Sequence, residues 1–175
     1  MIRLILNDEH LGSVMDQALG SVAHRLFIAT ADVKDLHLPR KGRKRPRSIL
    51  QAFEALTSRG VEVRLLHSGV PSSVFLEELK RRYPTGMIMR RCPRTHVKAV
   101  IADGRTMYLG SANLTGAGLG AKSARRRNFE AGIWTDELTL IDPVADMLDG
   151  IWTGQHCDKC GRREHCPQPL EEPNL

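Results

Sequence analysis

The sequence predicts an α/β fold in which a mixed β-sheet is flanked by helices. Three observations lead there. Strand-like and helix-like apolar patterns alternate through most of the chain. A tight hairpin signal, Asp103-Gly104, then joins two further strand-like runs and makes the sheet mixed. The length of 175 residues suits one domain with a proper core and is short for two.

The elements follow in order. Residues 9–24 read as a helix, with Leu11, Val14, Met15, Leu19 and Val22 roughly on one side. "RLFIATADV" (25–33) reads as a mostly buried strand, and a basic loop follows. "SILQAFEALTSRG" (48–60) is a helix capped by Ser48 and stopped by Gly60. "VEVRLLHS" (61–68) alternates as a strand does, 72–82 is a short helix and 86–92 a strand. "HVKAVIAD" and "RTMYLGSA" are the two hairpin strands. A Gly-rich loop, "LTGAGLGAKSARRR", leads to a strand over 128–135. Residues 137–154 form a final helix or a pair interrupted near Pro143. After Gly154 the composition turns to Cys, His, Arg and Pro, so the expected division is a domain over 1–154 and a Cys-rich tail over 155–175.

Net charge is +6, and residues 34–47 alone carry that excess: Lys34, Arg40, Lys41, Arg43, Lys44, Arg45 and Arg47 stand against Asp35. Localised positive charge suits a polyanion, either nucleic acid or an anionic membrane surface, although a solvated loop reads the same way. No apolar run is long enough to span a bilayer, and the first apolar stretch stops at Leu6 before acidic residues, unlike a secretory signal. The expectation is a cytoplasmic protein with no membrane partner. With two Trp, two Tyr and four Phe, a base-stacking platform is not expected.

The densest chemistry lies in "THVKAVIADGRTMYLGSANLTG" (95–116). On a strand, His96 and Lys98 point one way while Val97, Ala99 and Ile101 point the other. A neutral histidine serves as nucleophile or general base, and a lysine beside it binds an oxyanion. Gly110 and Ser111 let backbone approach a ligand, and Asn113 offers an amide donor. Together they suit a tetrahedral anion such as phosphate. A bare His-x-Lys pair reads equally as a half-buried histidine with a snorkelling lysine. The full spacing does not: His96-x-Lys98, four residues, Asp103, then Gly110-Ser111-x-Asn113 closely resembles the signature of the phospholipase D superfamily. "FIATADV", "RGVEVRLLHS" and "NFEAGIWT" fall where that family's strands fall, so the resemblance covers about residues 20 to 152.

The resemblance implies a phospholipase D-like sandwich and a set of roles. His96 attacks phosphorus and forms a covalent phosphohistidine. Lys98 and Asn113 hold the non-bridging oxygens, with Ser111 contributing from its turn. Glu130 hydrogen-bonds the nucleophilic histidine and sets its tautomer. Asp103, the motif's last member, is expected to fix the hairpin. The family's site uses two histidines, whereas this chain carries one motif, so the second is expected from another copy across a two-fold axis. No cofactor is expected for catalysis. Arg125, Arg126 and Arg127, together with Arg43, Lys44 and Arg45 of the basic loop, are the candidate substrate-binding cations. A DNA or RNA nuclease working as a homodimer is the leading reading. A phospholipase and a non-catalytic nucleic-acid-binding module are the alternatives. By analogy, such stand-alone nucleases work inside larger DNA-defence or modification systems.

The tail reads separately. Cys157-x2-Cys160-x5-Cys166 supplies three soft ligands, and the fourth is Cys92, His156 or His165. The spacing is similar to that of iron–sulfur clusters in some DNA-repair glycosylases and RecB-like nucleases, and it equally permits zinc. A structural zinc or [4Fe–4S] centre is the expectation, with Cys92 preferred.

Overall fold

The computed structural model describes residues 1–39 and 45–173. Arg40, Lys41, Arg43 and Lys44, four of the cations of the basic loop, lie outside them.

Among the described residues the chain runs β1 (Ile2–Leu6), a wide π-helical turn (Leu11–Asp16) continuing into α1 (Gln17–Ser21), β2 (Arg25–Thr30), β3 (His37–Leu38) and β4 (Arg47–Ser48). It goes on through α2 (Ile49–Thr57), β5 (Glu62–His67), α3 (Ser73–Arg81), β6 (Met87–Arg91), β7 (Ala99–Ala102), β8 (Thr106–Gly110), β9 (Ala131–Thr135) and α4 (Leu138–Trp152). Seven strands form one sheet in the order β1-β9-β8-β7-β2-β5-β6, and β3 pairs with β4 as a small ribbon. β2, β5 and β6 run parallel and the other pairs are antiparallel, so the sheet is mixed as the sequence predicts.

Alternation along the strands builds two cores. Leu26 and Ile28 face α1, α2 and α3, where they pack with Met15, Leu50, Phe53 and Phe75. Phe27 and Ala29 face the other way, with Ala99, Ile101 and Met107 beneath Ile141, Leu148 and Trp152 of α4. Each large apolar side chain buried here contributes roughly 1.5–3 kcal/mol. The helix starts are fixed locally. The Ser48 hydroxyl accepts from Gln51 N–H at 3.2 Å while Gln51 Oε1 accepts from Ser48 N–H at 3.1 Å, a reciprocal capping box. The Ser72 hydroxyl accepts from Phe75 N–H.

Three expectations are corrected, and one pair of alternatives is decided. Residues 2–6 form an edge strand that the sequence reading did not include. The helix expected over 9–24 is shorter and opens wide. The 137–154 region is one helix, because Pro143 lies near its start and forfeits a single backbone bond while Ile141, Leu148 and Trp152 stay anchored on the sheet. The strand expected to include His96 begins only at Ala99, and the one expected to include Glu130 begins at Ala131. Ladder pairing needs a neighbour, and β2, which pairs Ala29 with Ala99, ends one residue later at Thr30.

The hairpin turn is as expected. Asp103 and Gly104 both take positive φ, 55° and 66°, the conformation of a type I′ turn.

Candidate active site

The shortened strands place the motif residues just past one end of the sheet. β2 and β8 finish there, at Thr30 and Gly110, and β7 and β9 start there, at Ala99 and Ala131. This is the rim where open α/β sheets hold their ligands. Val97 packs with Ala99 and Ile101 in the α4 core, which sends its neighbours His96 and Lys98 to the opposite side, as alternation requires. His96 is exposed and Lys98 half-buried. Lys98 Nζ donates to the His96 carbonyl at 2.9 Å and lies 3.2 Å and 3.3 Å from the two ring nitrogens. Burial pushes the Lys98 ammonium below its usual value, and the Glu130 carboxylate opposes that shift.

Asn113 is held by its carbonyl oxygen. Oδ1 accepts from the N–H groups of Ala31 and Asp32, each at 3.1 Å, with the Thr30 hydroxyl 3.2 Å away. That leaves the Nδ2 donors to face a ligand. Ser111 and Glu130 form a second cluster. The Ser111 hydroxyl donates to Glu130 Oε2 and accepts from Ala131 N–H at 3.0 Å, and Asn128 Nδ2 donates to Glu130 Oε1 at 3.0 Å. Within this chain the Glu130 carboxylate therefore meets Ser111 and Asn128, where a bond to His96 was expected.

Gly110 and Gly132 face each other across β8 and β9, and a side chain fits at neither. A Cβ on Gly110 would lie 2.4 Å from the Tyr108 hydroxyl and 2.7 Å from Ala131 O, and one on Gly132 would lie 2.5 Å from the Tyr108 ring. Tyr108 itself is buried, and its hydroxyl accepts from Ala112 N–H at 3.1 Å.

Three supporting residues were missed: Thr30, Tyr108 and Asn128. Thr30 ends an otherwise apolar strand, a weak signal of a polar duty. Tyr108 and Asn128 carry none, because their partners depend on pairing that spacing does not encode.

Asp103 lies at the far end of the hairpin, roughly 17 Å of strand from Lys98. Its carboxylate accepts from the N–H groups of Ala23, His24 and Arg25, each at 2.8 Å, and joins the turn to the start of β2. These bonds brace the hairpin, and the carboxylate stands at the end of the strands away from His96 and Lys98. Arg125 and Arg126 are exposed, whereas Arg127 pairs with Asp8 at 3.0 Å and holds the loop. Arg45 is exposed. The backbone that leads to it passes the site, because Lys34 N–H donates to Leu114 O at 3.2 Å. Beside Asn113 a cleft of about 340 Å³ opens, lined among others by Lys34, which pairs with Asp32 at 3.0 Å, and by Asp35 and Lys122.

This arrangement can hold a tetrahedral anion next to an exposed imidazole. Residues 16–152 match the family described as cardiolipin synthase, PLD-like domain. The chain belongs to the phospholipase D superfamily. Solved structures of this fold include the phospholipase D family member Nuc from Salmonella typhimurium, at 15% identity and TM-score 0.66, covering 100% of this chain and 99% of that one. NucT from Helicobacter pylori gives 15% and 0.60, over 84% of this chain and 92% of its own. Phosphatidylserine synthase from Haemophilus influenzae Rd KW20 gives 17% and 0.56, over 86% and 38%. At these identities the likeness is one of fold. No curated protein matches the chain at a significant level. Among the described residues no helix is long and apolar enough to cross a membrane.

The cysteines gather elsewhere. Cys92, Cys157, Cys160 and Cys166 line one cavity, with His156 beside them. His165 pairs with Glu164 at 3.0 Å and is not among that cavity's residues. Among the described residues no group of three or more His, Cys, Asp or Glu side chains is set to hold a single metal ion.

Proposed function

We propose that this superfamily member is a phosphodiesterase that cleaves DNA or RNA through a covalent phosphohistidine, acting as a two-fold homodimer. The observation that carries the reading is the gathering of His96, Lys98 and the outward donors of Asn113 at one end of the sheet. The His96 nitrogen attacks phosphorus and forms a P–N bond while the P–O bond to the leaving group breaks. Lys98 and Asn113 stabilise the charge on the non-bridging oxygens. The leaving oxygen takes a proton from the second copy's histidine. That histidine, now a base, removes a proton from water, which attacks phosphorus, breaks the P–N bond and restores His96. The covalent step and the Lys98 and Asn113 donors supply this chemistry without a metal.

An uncovered apolar strip supports the dimer. Ile2, Leu4 and Leu6 alternate along one face of β1 and are 58%, 62% and 43% exposed. They pair with Thr135, Ile133 and Ala131, so the strip runs to within one residue of Glu130, where Phe129 is 96% exposed. Apolar surface of this kind fits a second copy.

The basic stretch at 34–47, Lys122, Arg125 and Arg126 suit a phosphate backbone, with an anionic lipid surface as the alternative that the assay includes. The test compares wild type with His96→Asn on DNA, RNA and phospholipid vesicles, with EDTA present. Cleavage of nucleic acid that falls at least about 10³-fold in the variant supports the proposal. Activity that survives the substitution removes His96 from the mechanism, and cleavage of lipid alone replaces the substrate.

A further inference from the structure

The cavity lined by the four cysteines has no part in the phosphoryl chemistry. Its volume is about 270 Å³. Cys92 enters it from the end of β6, and Cys157, Cys160 and Cys166 enter from the segment after α4. Their separation in sequence, 65 residues at the least, means that only the fold brings them together. The rest of the wall is apolar or cationic. Pro93, Met147, Ile151 and Leu170 add apolar surface, and the exposed Arg94, Arg162 and Arg163 bring positive charge. Arg94 Nη1 already donates to Cys160 Sγ at 3.8 Å.

Size distinguishes between the two centres that four thiolates accept. Zinc bound at about 2.3 Å draws its thiolates to about 3.8 Å from one another and fills the space between them. Here the four cysteines are spread along the wall of one open cavity rather than drawn around a point, and the described residues present no single-ion site. A cuboidal iron–sulfur cluster spreads its ligands wider, because each thiolate binds its own iron and the inorganic core fills the middle. The core with its four thiolates is anionic, and the three arginines offset that charge.

We infer that this cavity binds a [4Fe–4S] cluster through Cys92, Cys157, Cys160 and Cys166. The cluster is structural. It ties the segment after α4 to the strand end four residues before His96. The assignment stands independently of the nuclease reading, since it uses none of the site's residues.

The experiment is metal and sulfide analysis of the full-length wild type purified anaerobically, followed by reconstitution with ferrous iron, sulfide and a thiol. About four iron and four sulfide per chain, with a broad visible absorption that bleaches on reduction, is the expected result. Cys92→Ser and Cys160→Ser each lose most of the iron, while His156→Ala and His165→Ala keep it. About one zinc per chain without iron overturns the cluster. Folded protein that holds neither iron nor zinc, as purified or after reconstitution, overturns the metal centre altogether. Full iron in Cys92→Ser together with loss in His156→Ala overturns the four-cysteine set. The wild-type analysis decides between cluster and zinc even if the cysteine variants fail to fold, because ligand binding and folding are linked.

Discussion

Lys98 uses one of its three N–H donors on the His96 carbonyl, which keeps the ammonium beside the imidazole before any substrate arrives. Its lowered pKa has a kinetic consequence. The value of kcat/KM reports the free enzyme, so it falls as pH rises through the Lys98 pKa, at a pH below that of an ordinary lysine. Lys98→Arg keeps the charge and removes the part of the alkaline fall that Lys98 contributes, at some cost in rate from the larger head. The part from the histidine that must be protonated to serve the leaving oxygen remains. Tyr108, which burial pushes up to about 12, stays neutral across the range and does not confuse the profile. A pH–rate curve for both proteins checks this, and an unchanged limb in the variant removes Lys98 as its source. Asp103 works through a different linkage. Partial burial pushes its carboxyl up, but the N–H groups of Arg25, Ala23 and His24 outweigh that and hold it below the usual carboxylate range. The stability it supplies is therefore present above the unfolded pKa, about 3.9, and is lost as pH falls through the lower folded value. Asp103→Ala leaves three backbone donors without their acceptor and costs about 1–3 kcal/mol at neutral pH, a difference that shrinks in acid. Urea melts at two pH values measure it. Nuclease activity of the folded variant should be near normal, because the residue lies far from the site.

Elements differ in how far the sequence announces them. α2 and α3 carry their own start signals in Ser48 and Ser72, and Asp103-Gly104 dictates its turn, so all three were legible. β1 was not, because five residues at an edge offer too little pattern and no turn residue before them. Strand ends were misplaced where the ladder stops for want of a neighbour, and that happens at His96 and Glu130. The motif's residue types were legible, but which of them touch was not: the Ser111–Glu130 bond joins positions 19 apart and depends on β8 lying beside β9. The ribbon of β3 and β4 frames the basic stretch and leaves β2 beside Asn113. Neutralising Arg40, Lys41, Arg43, Lys44, Arg45 and Arg47 is expected to weaken DNA binding and flatten its salt dependence by about 0.9 log–log units per lost phosphate contact. Hydrolysis of a small chromogenic phosphodiester should barely change. Equal loss on both substrates would show that the ribbon shapes the pocket instead.

At the scale of the whole molecule the two faces of the sheet are unequal, with three helices on one and α4 alone on the other. The uncovered β1 strip predicts that Leu4→Glu gives a folded monomer, since the side chain is already exposed, and that this monomer is inactive because half of the composite site is gone. Sedimentation at micromolar concentration with parallel assays checks both, and a fully active monomer would refute the two-histidine arrangement. The rims of the sheet are unequal too. At β6 the tail closes the edge: Arg91 N–H donates to Glu171 O at 3.0 Å and the Arg91 guanidinium pairs with the Glu171 carboxylate. At β1, among the described residues, no further strand pairs. A body with one adhesive rim can only pair, whereas a body with two can chain without limit. Deleting residues 155–175 is therefore expected to turn a self-limiting dimer into open-ended polymer, seen as light scattering that keeps growing with concentration, and adding Leu4→Glu to the truncated chain should return it to closed pairs.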